Sequence, residues 1–249
     1  MEKSVCPWVF PVDRPNLRVD QIQVWRANLD VSEEVMNGLD RYLSVGEKRK
    51  LSRYRSKTDR NRYTAARAIL RSLLGGVLGK SPADLRFWEN DFGKPGLVDD
   101  PRLKFNLSHA NQMAVFAFSR NRELGVDIEA IRPELSDMDL AWRYFSRGEA
   151  RVLEGLPPEK RSPAFFACWT RKEAYVKARG EGLSIPLDAF EVPVLPEEID
   201  GGIQVYGNPE ETNHWRLLSF EVYPGFSMAL VGEGSDWDVR LYDWHPGLI

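Results

Sequence analysis

Asp127 and Glu129 stand one residue apart in the segment Gly125-Val126-Asp127-Ile128-Glu129. On a β-strand, residues i and i+2 project to the same face, so the two carboxylates point together while Val126 and Ile128 turn the other way. Neighbouring carboxylates repel and hold their protons unless a cation lies between them. Hard oxygen donors suit Mg²⁺, which takes a few carboxylates together with substrate phosphates and water. Taken alone, the same pattern equally describes an edge strand with two solvated acids.

A second segment, Trp169-Thr170-Arg171-Lys172-Glu173-Ala174-Tyr175-Val176-Lys177, reads as helix. Glu173 and Lys177 are four residues apart and share a face. Glu173 is a candidate third metal ligand and Lys177 a candidate phosphate contact, although an ordinary surface ion pair has the same spacing. Phe165, Phe166, Trp169 and Val176 give this helix an apolar side. Between Lys48 and Arg71 lie ten basic residues against one acid, Asp59, in a chain of net charge -3. Such an asymmetric run suits a polyanion or an acidic protein surface as well as a solvated helix face. Gly93-Lys94-Pro95 and Phe105-Asn106-Leu107-Ser108-His109 complete the set. Glycine turns with adjacent lysine, serine and histidine donors can hold phosphate. The Ser-His pair does not suggest a hydrolase, because sequence neighbours rarely have nucleophile and base geometry.

The elements that must position these residues come in two similar series. Tyr42–Leu51 matches Tyr144–Leu153 at six of ten positions with an offset of 102, which also lays Val24 on Val126. Four further residues of slack would place Arg67 on Glu173 and Arg71 on Lys177. Strands are expected at Ile22–Ala27, Phe87–Glu89, Lys104–Leu107, Met113–Ser119, Leu124–Ile128, Phe190–Val194, Gln204–Tyr206, Trp215–Val222, Met228–Val231 and Val239–Trp244. A Ser108–Asn111 turn would join the third and fourth. Helices are expected from Ser32 to Leu43, from Ser44, over Arg60–Leu78, Asp137–Tyr144, Arg147–Glu154 and Pro163–Arg179, with Gly79 and Gly180 as stops. Pro196–Gly202 reads as a hairpin connection. The pattern predicts an α+β fold of two similar, pseudo-twofold-related halves, residues 1–122 and 123–249. Each is a small, mainly antiparallel sheet packed on helices, with the site at their interface.

Composition narrows the functional classes. With 43% hydrophobic and 11% aromatic residues, the 249-residue chain can bury a proper core. Cys6 and Cys168 lie far apart with no CxxC motif, which argues against a disulfide framework or zinc site and for two reduced thiols. No apolar run approaches the roughly 18 residues that a membrane span needs, and no signal-peptide core opens the chain. A cytoplasmic protein is the expectation. The basic run lacks the aromatic interleaving that nucleic-acid base stacking wants, so nucleic acid is not an expected partner.

In this order, Gly93–Pro95, Phe105–His109, Leu124–Glu129, Phe145–Glu149 and Trp169–Lys177 resemble the motifs of the Sfp-type 4′-phosphopantetheinyl transferases. The resemblance covers roughly Arg41 to Phe190. It implies that the chain moves the 4′-phosphopantetheine group from coenzyme A to a serine of an apo acyl or peptidyl carrier protein, releasing 3′,5′-ADP. It implies Asp127, Glu129 and Glu173 as ligands of Mg²⁺, with Mn²⁺ as an alternative, and Lys177 on the coenzyme A phosphates. Gly93, Lys94, Pro95, Ser108 and His109 would contact coenzyme A. Lys48, Lys50, Arg53, Arg67 and Arg71 lie in the region that grips its nucleotide end. Glu149 is a candidate proton acceptor, and Glu173 or a metal-bound water is the candidate base for the serine. The two-half length implies a monomer. The alternative is a non-catalytic coenzyme A or carrier-binding module on the same fold.

Overall fold

The structure, a computed structural model, describes residues 7–134 and 138–248. Cys6 and the expected helix start at Asp137 lie outside them. In the first half, β1 (Gln21–Asn28) leads to α1 (Glu33–Asp40), α2 (Val45–Leu51) and α3 (Lys57–Leu78). The short hairpin β2 (Phe87–Glu89) and β3 (Pro95–Leu97) follows, then β4 (Leu103–Ala110) and β5 (Met113–Arg120). In the second half, β6 (Leu124–Ala130) leads to α4 (Met138–Tyr144), α5 (Arg147–Gly155) and α6 (Pro158–Arg179). Then come β7 (Phe190–Glu191), β8 (Asp200–Gly201), β9 (Gln204–Val205), α7 (Pro209–His214), β10 (Trp215–Ser219), β11 (Phe226–Glu233) and β12 (Asp238–Asp243).

The repeated sequence has a physical meaning. Ser44 caps α2 and Ser146 caps α5, and in each case the glutamate three residues on, Glu47 or Glu149, closes a reciprocal capping box. The long helices α3 and α6 both run 22 residues and stop at a glycine in the left-handed region, Gly79 (φ 63°) and Gly180 (φ 70°). The two helices therefore correspond at an offset of 101, from Lys57 on Pro158 to Leu78 on Arg179. No slack is needed. Arg71 matches Lys172, not Lys177, and Glu173 matches Ser72.

The sheet orders β1-β5-β4 and β6-β11-β10 correspond as well, each with its long helix packed on one face. Their opposite faces meet in a third core cluster containing Ile22, Val24 and Val115 from the first half and Val126, Ile128 and Leu230 from the second. One strand breaks the division at residue 122. β12, from the end of the chain, pairs in parallel with β1, while β8 joins the second sheet beside β10. The second half thus lends an edge strand to the sheet of the first.

Three local expectations also change. β4 runs through Ser108 and His109 to Ala110, and the turn is made by Asn111 at φ 50°. α6 begins at Pro158, where proline's missing N–H is harmless, and Pro163 lies inside the helix. Asn208 caps a short helix, α7, where none is expected. Among the described residues no helix is long and apolar enough to cross a membrane.

Candidate active site between the halves

Gly125 sets the packing that builds the site. A Cβ there would fall 2.1 Å from the Ala174 carbonyl oxygen and 2.3 Å from the Ala178 nitrogen. Only glycine lets β6 lie directly on the backbone of α6. With Val126 and Ile128 buried between the sheets, strand alternation turns Asp127 toward α6. The last two turns of that helix carry Glu173 and Lys177.

Asp127 is 3% exposed. Its Oδ1 accepts from Ser108 Oγ of β4 at 2.7 Å and lies 2.5 Å from Lys177 Nζ, which also reaches Ser108 Oγ at 3.1 Å. Its Oδ2 is buried without a hydrogen-bond partner. Such an orphaned carboxylate oxygen calls for a cation or a donor. Burial and the Asp127 charge push Glu129 up to about 6, and the same causes raise Glu173. The three acids therefore sense one another. Among the described residues, however, no three acid, histidine or cysteine side chains are already gathered as a cation cage. The Lys177 ammonium is the charge that balances Asp127. The donor set consists of hard oxygens and fits a divalent cation of the Mg²⁺ type.

A cleft of about 280 Å³ opens beside these groups, lined by Gly93, Lys94, Pro95, Asn106, Glu173 and Lys177 among others. His109 stands exposed on β4. Loss of surrounding water and the Lys177 charge hold its pKa below the ordinary value. Lys94 is turned inward. Its Nζ donates to Glu123 at 2.7 Å, to the Ala178 carbonyl at 2.8 Å and to the Leu124 carbonyl at 3.3 Å. Asn90 Nδ2 donates to the Gly180 carbonyl at 2.7 Å. The β2–β3 hairpin thus braces the start of β6 against the end of α6, the two elements that carry the acids and Lys177.

Other candidates lie elsewhere. Glu149 is 3% exposed, accepts from Val192 N at 2.8 Å and is paired with Lys172 at 2.8 Å. A buried, fully partnered carboxylate cannot serve as the expected proton acceptor. Arg71 is 2% exposed, binds Glu47 at 2.7 Å and donates to the carbonyls of Pro82 and Leu85. Arg67 holds the other Glu47 oxygen at 2.8 Å. These arginines lock α2 onto α3 as Lys172 locks α5 onto α6, so neither is a free phosphate grip. Lys48 pairs with Asp40 on the surface at 2.7 Å, while Lys50 and Arg53 are exposed. Cys168 is a buried free thiol. Asn106 carries no charge to mark it in the sequence, yet its Oδ1 accepts from Val126 N at 2.9 Å and ties β4 to β6. Its position two residues before Ser108, on the same strand face, was the available signal.

Comparison with known proteins agrees with this arrangement. Residues 25–121 match the family model "4'-phosphopantetheinyl transferase, N-terminal", and residues 123–231 match "4'-phosphopantetheinyl transferase superfamily". The 4'-phosphopantetheinyl transferase HetI of Nostoc sp. is 39% identical over 93% of this chain and 95% of its own length. Two Bacillus subtilis 4'-phosphopantetheinyl transferases, ffp and Sfp, are 31% and 28% identical, each over 83% of this chain and 89% of the relative. Among solved structures, Thermotoga maritima holo-[acyl-carrier-protein] synthase matches 45% of this chain and 63% of its own at 21% identity and a TM-score of 0.36, too slight a likeness to carry an argument. Near-complete coverage by the Nostoc relative, together with two family models that meet where β5 gives way to β6, settles the family: the chain belongs to the 4′-phosphopantetheinyl transferase superfamily.

Proposed function

We propose that the chain transfers 4′-phosphopantetheine from coenzyme A to a serine hydroxyl of an apo acyl or peptidyl carrier protein, releasing 3′,5′-ADP. The observation that carries this reading is the meeting of Ser108, Asp127 and Lys177 at the junction of the halves, with Glu129 and Glu173 electrostatically coupled to Asp127. The presence of all three acids and the lysine argues against a non-catalytic binding module.

The serine oxygen forms a bond to the phosphorus that bears pantetheine. The bond from that phosphorus to the bridging oxygen breaks, and 3′,5′-ADP leaves with the electron pair. In such transfers positioning and charge neutralisation dominate. A divalent cation, Mg²⁺ with Mn²⁺ as the alternative, would be held by Asp127, Glu129 and Glu173 and would supply positive charge against the pyrophosphate when bound. Lys177 places a second positive centre where charge develops. Glu173, whose carboxyl burial and Asp127 raise above the ordinary value, is suited to take the serine proton. Lys50 and Arg53 offer exposed positive charge to draw in phosphates or an acidic carrier. One chain supplies both walls of the cleft, which supports a monomer as the working unit.

The test is to mix the protein with coenzyme A, Mg²⁺ and a broad panel of apo carrier proteins and to follow the phosphopantetheine mass gain by mass spectrometry. Wild type should modify at least one carrier, and D127A and E173A should lower the rate by about a thousandfold, the scale of losing a preorganised charged group. Full rate in either variant at limiting Mg²⁺ would remove the metal assignment. A panel left entirely unmodified would favour the binding-module reading.

A further inference from the structure

We propose that Glu123 is a positioning residue for the transfer reaction, holding Lys177 of α6 against Asp127 of β6 through the Lys94 ammonium. The inference rests on the transferase reading and extends it to a carboxylate given no role there.

Three observations carry it. First, Lys94 is a clip across the closest approach of β6 and α6. An ammonium has three N–H donors. Two of them reach the carbonyls of Leu124 and Ala178. Leu124 directly precedes Gly125, where β6 meets the α6 backbone, and Ala178 directly follows Lys177. Second, the remaining donor is taken by Glu123. Its Oε2 accepts from Lys94 at 2.7 Å, and its Oε1 lies 2.7 Å from Lys104 Nζ on β4, the strand that carries Ser108. Glu123 is itself fixed, since its N–H donates to Glu233 Oε2 at 3.1 Å and its carbonyl accepts from Glu233 N at 3.0 Å. One carboxylate thus joins the strand of Ser108 to the start of the strand of Asp127 and, by way of Lys94, to the helix of Glu173 and Lys177. Third, the path of the lysine is built into the chain. Asn90 Oδ1 accepts from Lys94 N at 2.8 Å while its Nδ2 holds the Gly180 carbonyl. A Cβ at Gly180 would fall 2.6 Å from Lys94 Cδ, so the glycine that stops α6 also leaves the lysine stem room to cross the helix end.

Charge explains why an acid belongs there. Burial lowers the Lys94 pKa, and the Glu123 charge opposes that loss. Burial pushes Glu123 up, but the Lys94 and Lys104 charges outweigh it and hold the carboxyl below its ordinary value. Without the carboxylate, two ammonium groups would face each other and repel. Lys94 would then leave its place, and the two backbone carbonyls would lose their common donor. Partly exposed ion pairs contribute little to folding stability, so the effect of removing this one falls on geometry. A misplacement of about 1 Å at a group that acts in the reaction can cost on the order of a hundredfold in rate.

The test compares wild type with E123Q, K94M and the double variant E123Q/K94M. The kcat and the KM for coenzyme A are measured with saturating carrier and Mg²⁺ at low and high ionic strength, alongside thermal midpoints. E123Q is expected to lower kcat by about tenfold or more at both ionic strengths, with KM within about twofold and the midpoint within about 3 °C of wild type. The double variant should be no more than about twofold slower than K94M, because both changes disable one device. Several results would overturn the assignment: wild-type kcat in E123Q, a loss confined to low salt, a raised KM with kcat intact, losses that multiply in the double variant, or a larger fall in the midpoint, which would make Glu123 a folding residue. Any of these in a protein whose wild type modifies a carrier would sink this inference alone. A wild type that modified no carrier in a broad panel would sink the transferase reading and this inference with it.

Discussion

Ser108, on the outer strand of the first half, donates to Asp127, on the first strand of the second, at 2.7 Å. No backbone ladder joins β4 to β6, because each closes the edge of its own sheet. The seam is held instead by side chains: Asn106 to Val126, Ser108 to Asp127, and Lys94 to the start of β6 and the end of α6. The groups that tie the seam also line or adjoin the proposed site, so substitutions there should affect rate and stability together, and those away from it should separate the two.

Gly125 offers the sharpest test of the packing. In G125A the new methyl meets helix backbone, which cannot rotate away as a flexible side chain could. Overpacking of this kind costs about 1–3 kcal/mol or more. Because α6 must move off β6, the rate of carrier modification should fall by at least a hundredfold even where the protein remains folded. A folded G125A with wild-type rate would show that the close approach is not needed for the site.

Stability should depend on pH through Glu129. Its carboxyl sits at about 6 against an ordinary 4.5, so the metal-free folded protein holds this proton more tightly than the unfolded chain does. The unfolded chain releases its proton first, and stability therefore falls as pH rises from 4.5 through 6. Allowing for partial exposure, the effect is on the order of 1 kcal/mol. Thermal midpoints in chelator should show this decline for wild type and a flatter profile for E129Q, with a residual slope from Glu173, which is shifted in the same direction. Overlaid profiles would contradict the assignment.

Glu47 and Arg71 should behave as architecture. Burial pushes Glu47 up, but the Ser44 N–H and the charges of Arg67 and Arg71 outweigh this and hold it below the ordinary value. E47A leaves the Arg71 guanidinium buried and uncompensated, at a cost of about 3–5 kcal/mol. Urea midpoints should drop sharply for E47A and R71A. If R71A instead kept its stability and lost only affinity for coenzyme A, the guanidinium would be a phosphate contact after all.

Lys50 and Arg53 should show the opposite signature. Both are exposed, so the double substitution K50E/R53E should leave the thermal midpoint within about 2 °C of wild type. The KM for coenzyme A or carrier should rise about threefold to tenfold at low salt, and the difference should shrink at high ionic strength as the charges are screened. An effect independent of salt would point away from electrostatic attraction.

Much of this was legible in the sequence, for reasons that can be named. The Asp127-x-Glu129 alternation needs only strand geometry to place both acids on one face. The Ser-x-x-Glu repeat contains its own capping box, so two helix starts and the twofold character could be read locally. What could not be read was which charges find partners across the fold. Glu149 and Arg71 look like available groups in the chain, yet each is buried against an opposite charge on a helix more than twenty residues away. The helix register is hidden for the same reason: matching the charged residues implies slack that the two glycine stops rule out. Asn106 escaped notice because an amide carries no charge to mark it.

The pairing of β12 with β1 has a consequence for how the molecule comes into being. β1 leaves the ribosome well before β12, with β2 to β11 made between them. Until β12 emerges, one flank of β1 must wait without its neighbour, and the first half reaches its final form only when that strand has been made. Either half expressed alone would carry an open sheet edge or a strand with nowhere to go, so the cleft belongs to an uninterrupted chain.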